Sequence, residues 1–144
     1  MIEQTNVQKA YIKINWVLAG IILGIFLYSG LFSYEFPQHP IPSQFTKITG
    51  YPSSSTGLSR SFSAIVRGEF NEAHQLNPYG LDIFLFFLLQ LIFRIGGIFL
   101  IKSKKTSINK LLFADICLSL FTFLLAFRGM ILFLFKLSKY LLVN

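Results

Sequence analysis

The chain reads as an all-α membrane protein with three transmembrane helices and a pair of short amphipathic helices between the first and second. Three observations lead there. Only 13% of its 144 residues are charged and 53% are hydrophobic, 17 of them Phe, against roughly 25% and roughly 45–50% in soluble domains. The apolar residues are bunched into runs rather than spread with a helical or strand period. Those runs are long enough to cross a hydrocarbon core of ~30 Å at ~1.5 Å per residue. The length suits a single membrane domain, residues 1–144, with spans near 14–32, 81–101 and 111–135 and a surface loop over 33–79.

Residues 1–13 are polar and place Lys9 and Lys13 before the first run. Ile14–Phe32 then carries no charge, with Trp16 and Tyr28 near its ends as interfacial aromatics. Its length reads as a span rather than a cleaved signal. Residues 33–48 contain Pro37, Pro40 and Pro42 around His39, which excludes a regular helix and predicts an extended strap along the membrane surface.

Thr49–Pro78 is too polar for lipid and too patterned for a linker. Gly50-Tyr51-Pro52 reads as a turn, and Ser53–Thr56 supplies candidate N-caps. Leu58, Phe62, Ile65 and Val66 share a helical face, and Gly68 is placed to end that helix. Phe70, Ala73 and Leu76 align on a second short helix. Asn77-Pro78 reads as the N-cap and first position of the next helix. The pair of helices is expected to lie on or dip into the membrane surface.

The second span, Leu81–Ile101, is interrupted by Asp82, Gln90 and Arg94, and its Gly96-Gly97 predicts close approach of another helix. A short basic loop with Lys102, Lys104, Lys105 and Lys110 leads to the third span, Leu111–Phe135, which holds Asp115, Cys117 and Arg128. Charges inside lipid need partners. Arg94 lies ~10 Å and Asp115 ~6 Å from the ends that the short loop joins, so the two are predicted to pair. Arg128 falls nearer the level of Asp82 and is expected within reach of Glu69 or Glu72.

Chemistry is sparse. The net charge of +7 sits at the ends of apolar runs, where topology and anionic headgroups account for it, so nucleic acid is excluded as a partner. Cys117 is the only cysteine, so no cysteine-based metal site or intramolecular disulfide is available. No G-x-S-x-G, H-E-x-x-H or P-loop is present, and no catalytic residue, metal or cofactor is predicted. Arg60, Arg67 and Arg128 remain as candidates for an anionic group or a partner. The concentration of lysines before the first span and in the 102–110 loop places the N-terminus in the cytoplasm.

Thr49-Gly50-Tyr51-Pro52-Ser53-Ser54-Ser55-Thr56-Gly57-Leu58-Ser59-Arg60, followed by Arg67-Gly68 and Leu76-Asn77-Pro78, resembles the segment T-G-x-P-C-P-x-C-G-x-T-R…R-G…L-N-P of a family of small bacterial membrane proteins, domain of unknown function 2752. The resemblance covers residues 49–78 without a gap. It implies no activity, and it implies a bacterial inner membrane. The two family cysteines fall on Ser53 and Thr56, which at neutral pH provide neither a thiolate nucleophile nor a metal ligand. The remaining motif residues, Gly57, Gly68, Asn77 and Pro78, suit structural roles in turns and a helix start. Two functions follow as expectations. One is a non-catalytic accessory subunit that docks other integral membrane subunits through its spans and the 49–78 loop. The other is a small transporter-like or lipid-binding protein that uses its arginines.

Overall fold

The computed structural model describes residues 2–35, 55–103 and 106–143. Five helices occur among them: α1 (Ile2–Leu31), α2 (Leu58–Val66), α3 (Phe70–Leu76), α4 (Gly80–Lys102) and α5 (Ile108–Val143). Three segments, Asn6–Leu31, Gly80–Lys102 and Ile108–Leu132, are long and apolar enough to cross a membrane, and the two short helices lie between the first and second. The chain is thus built as an integral membrane protein. In lipid only internally hydrogen-bonded backbone is tolerated, which is why long apolar runs become helices.

Two boundaries differ from the sequence reading. Helix α1 begins at Ile2, so most of the polar N-terminal stretch is helical. Nothing in 2–13 breaks a helix, and a membrane helix continues past the lipid where no Gly or Pro stops it. Helix α5 runs on to Val143 for the same reason. The proline strap with His39, the turn through Ser53, and Lys104 and Lys105 lie outside the described residues.

The fold divides into two compact units, one gathering Met1–Ile25 with Phe86–Leu124 and the other Phe26–Leu85 with Leu125–Asn144. In the first, Tyr11, Ile101, Ile108 and Leu111 form a buried cluster where α4 turns into α5, with Ile12 and Leu112 against it. Of the glycine pair only Gly97 makes the close approach: a Cβ there would strike the Tyr11 hydroxyl, whereas nothing lies near Gly96.

In the second unit Phe84 of α4 packs on Phe26 of α1 with ring centroids 4.9 Å apart and edge-on to Phe62 of α2 at 5.3 Å, separations favourable for aromatic pairs. Ser61, Phe62, Ser63, Ala64 and Ile65 of α2 are all buried. The face predicted through Leu58 and Val66 is therefore shifted, and Val66 is exposed. The shift has a polar cause. Ser61 Oγ donates to the Ala73 carbonyl at 2.8 Å and Ser63 Oγ donates to the Phe32 carbonyl, so both hydroxyls enter the interior hydrogen-bonded.

Candidate functional site

Two polar constellations stand out, one in each unit. The first lies within the spans. Arg94 of α4 and Asp115 of α5 form an ion pair, Nη1 to Oδ2 at 2.7 Å, with side chains 11% and 9% exposed. The guanidinium also donates from Nη1 to Asn15 Oδ1 at 2.9 Å, and from Nη2 to Gln90 Oε1 at 3.0 Å and Ser119 Oγ at 2.7 Å. Four of its five N–H donors are thus engaged. Gln90 Nε2 donates to Thr122 Oγ1 at 3.2 Å, and Ser119 Oγ to Gln90 Oε1 at 3.2 Å. Tyr11 donates its hydroxyl to Asp115 Oδ2 at 3.3 Å.

Helix geometry assembles this network. Tyr11 and Asn15, Gln90 and Arg94, and Asp115 and Ser119 are each spaced i, i+4, so each span presents a short polar stripe. The three stripes converge. Of these residues, the sequence predicts the pairing of Arg94 with Asp115 and marks Gln90 as a polar interruption of its span. Sequence reading does not single out Tyr11, Asn15, Ser119 or Thr122, although the i, i+4 spacing of Tyr11 with Asn15 and of Asp115 with Ser119 is a readable signal.

Among the buried side-chain atoms of the described residues, Asp115 Oδ1 accepts no hydrogen bond. Asp115 and Arg94 border an open cleft of about 550 Å³ whose walls are otherwise mostly apolar, including Leu18, Ile21, Phe87, Ile116, Leu120 and Phe123.

The second constellation fastens α2 and α3 to the end of α1. Arg67 donates from Nη1 to the Ser29 carbonyl at 3.1 Å and the Ser63 carbonyl at 2.8 Å, and from Nη2 to the Gly30 carbonyl at 2.9 Å. Arg60 Nε donates to the Tyr34 carbonyl at 2.7 Å. The last carbonyls of a helix lack intrahelical donors, and a cation there also complements the helix dipole.

The motif glycines and asparagine complete the clamp. Gly57 has φ +77° and Gly68 φ +82°, conformations that L side chains resist. Gly68 N–H donates to the Ile65 carbonyl at 3.0 Å and Glu69 N–H to the Ala64 carbonyl at 3.0 Å, the two bonds of a Schellman cap. At Gly57 a Cβ would strike the Leu76 carbonyl oxygen. Asn77 has extended backbone. Its Oδ1 accepts from the Tyr79 N–H at 2.9 Å, and its Nδ2 donates to the Thr56 carbonyl at 2.9 Å. Asn77 and Pro78 thus form a turn that delivers the chain into α4, which begins at Gly80. Burial pushes the Tyr34 phenol up, as do the carboxylates of Glu35, Glu69 and Glu72.

Arg128 is exposed on α5. Among the described residues no ion pair joins it to Asp82, Glu69 or Glu72; the ion pair found there is Arg94–Asp115. The neighbour of Arg128, Gly129, instead packs closely on the Tyr79 ring. No group of three metal-ligating side chains occurs among the described residues, and Cys117 is exposed.

The clamp coincides with a known family segment. Residues 44–91 match the family model of DUF2752, protein of unknown function. No match was found among curated proteins or among solved structures. The match takes in both motif arginines, both helices of the loop and the first half of α4, and it stops short of Arg94 and Asp115. The stretch similar to that model thus supplies Arg60, Arg67 and Asn77 of the clamp, while the carbonyls of residues 29–34 that receive the arginines lie before it.

Proposed function

We propose that this chain is a non-catalytic accessory or structural subunit of a bacterial inner-membrane protein complex, with its N-terminus in the cytoplasm. It docks partners through its spans and through the 49–78 loop. The observation that carries this reading is the combination of arginines bonded to backbone carbonyls and exposed apolar side chains at the α2–α3 corner. Arg67, Ser61, Ser63 and Asn77 bond backbone carbonyls of their own unit, so the corner is held as a platform. On that platform Val66 and Phe70 are exposed, as are Glu69, Asn71, Glu72 and His74. An apolar centre with a polar surround is the composition of a protein-binding patch.

A photo-crosslinking amino acid placed at position 70 in native membranes tests this. A discrete heterologous protein adduct, lost when Val66 is changed to Glu, is the expected result. Adducts to lipid alone would overturn the reading.

A second reading is favoured by Arg128, exposed within a lipid-length helix and near its end. Together with Arg60 and Arg67 it would recruit an anionic headgroup, making the chain a lipid-binding or transporter-like protein. Anionic phospholipid retained through purification by the parent chain, and lost in Arg128→Ala, would select this reading over the first.

A further inference from the structure

We propose that the cleft beside Arg94 and Asp115 binds a neutral lipid-like amphiphile through a hydroxyl group that donates to Asp115 Oδ1. The inference does not rest on the subunit reading above. It begins with the hydrogen-bond inventory of the network. Arg94 engages four N–H donors, Gln90 engages both its oxygen and its nitrogen, and Ser119 both donates and accepts. Among its fully buried side-chain atoms, the one left without a partner is the acceptor Asp115 Oδ1. A buried acceptor left without a partner costs free energy that an arriving donor recovers.

Charge narrows the class. Arg94 and Asp115 offset each other, so the site is neutral overall. A phosphate or carboxylate brings acceptors where a donor is wanted and meets the Asp115 carboxylate. An ammonium brings an uncompensated charge into lipid, which is costly. A hydroxyl brings the donor and no charge.

Shape supplies the rest. The cleft holds about 550 Å³, within the range of small-molecule sites and many times the ~30 Å³ share of one water molecule. Leu18, Ile21, Ile22, Phe86, Ile116 and Leu120 make its walls fit for an alkyl chain rather than for a water cluster.

The test uses the full-length chain in mild detergent and three probes with one common alkyl chain: oleyl alcohol, methyl oleate and oleate. Binding is counted by native mass spectrometry and by the rise in Tm. Oleyl alcohol is expected to bind once per chain and to raise Tm, with affinity roughly tenfold above methyl oleate and oleate, as one recovered hydrogen bond implies. Leu120→Trp on α5 and Ile21→Trp on α1 each put a bulkier apolar side chain into the cleft lining while keeping every polar residue of the network. Whichever of them retains the parent helical circular dichroism is expected to lose oleyl alcohol binding. Equal binding of the three probes, or undiminished binding of oleyl alcohol to a folded cleft-filling variant, would overturn the proposal.

Discussion

Arg94 shows how one residue organises a membrane interior. A guanidinium within a span is tolerated because lipid-facing alternatives are worse than a site with acceptors for most of its donors, and here Asp115, Asn15, Gln90 and Ser119 supply four. Arg94→Ala leaves Asp115 buried and unpaired, and the expected loss is about 3–5 kcal/mol. The Arg94→Leu/Asp115→Leu double variant removes both charges and is expected to lie closer to the parent. Reversible unfolding in mixed detergent micelles measures both, and an Arg94→Ala chain as stable as the parent would contradict this account. The pairing itself was legible because two opposite charges sat at similar depths in adjoining spans. The hydroxyl and amide partners show in the sequence only as i, i+4 stripes, because an Asn or Ser in an apolar run carries no sign of which neighbour it will meet.

At the scale of elements, α2 and α3 are held less by their own propensity than by caps. Helices of nine and seven residues are marginal alone. Their backbone is fixed by the left-handed glycines and by side chains reaching the end of α1. Gly57→Ala and Gly68→Ala both meet the left-handed penalty, about 1–2 kcal/mol. Gly57→Ala additionally forces a collision with the Leu76 carbonyl, whereas open space surrounds Gly68. The expected order is therefore a larger loss of Tm in Gly57→Ala than in Gly68→Ala, with amide exchange rising first across 58–76. Equal losses would mean that the packing of Gly57 on α3 contributes nothing. The glycines announced their turns in the sequence. Read from sequence, Arg60 and Arg67 are candidates for an anionic group or a partner; that they also hydrogen-bond carbonyls of residues 29–34 was not legible there.

For the whole molecule, the lysine distribution predicts an orientation that labelling can check. In a Cys117→Ser background, Glu72→Cys is expected to react with a membrane-impermeant maleimide on intact cells, and Ser107→Cys only after permeabilisation. The reverse pattern would place the α2–α3 corner in the cytoplasm. The sequence by itself determined the class of fold, the number of spans and the position of the short helical pair, because hydropathy, run length and Gly/Pro punctuation are local properties. Only the tertiary structure decided which serines are buried, that α1 ends on a clamp of arginines, and that three polar stripes meet around Arg94 while leaving Asp115 Oδ1 unmet. Those outcomes depend on which helix faces converge, and in a chain whose spans are apolar on nearly every side, the few polar side chains make that choice jointly and not one at a time.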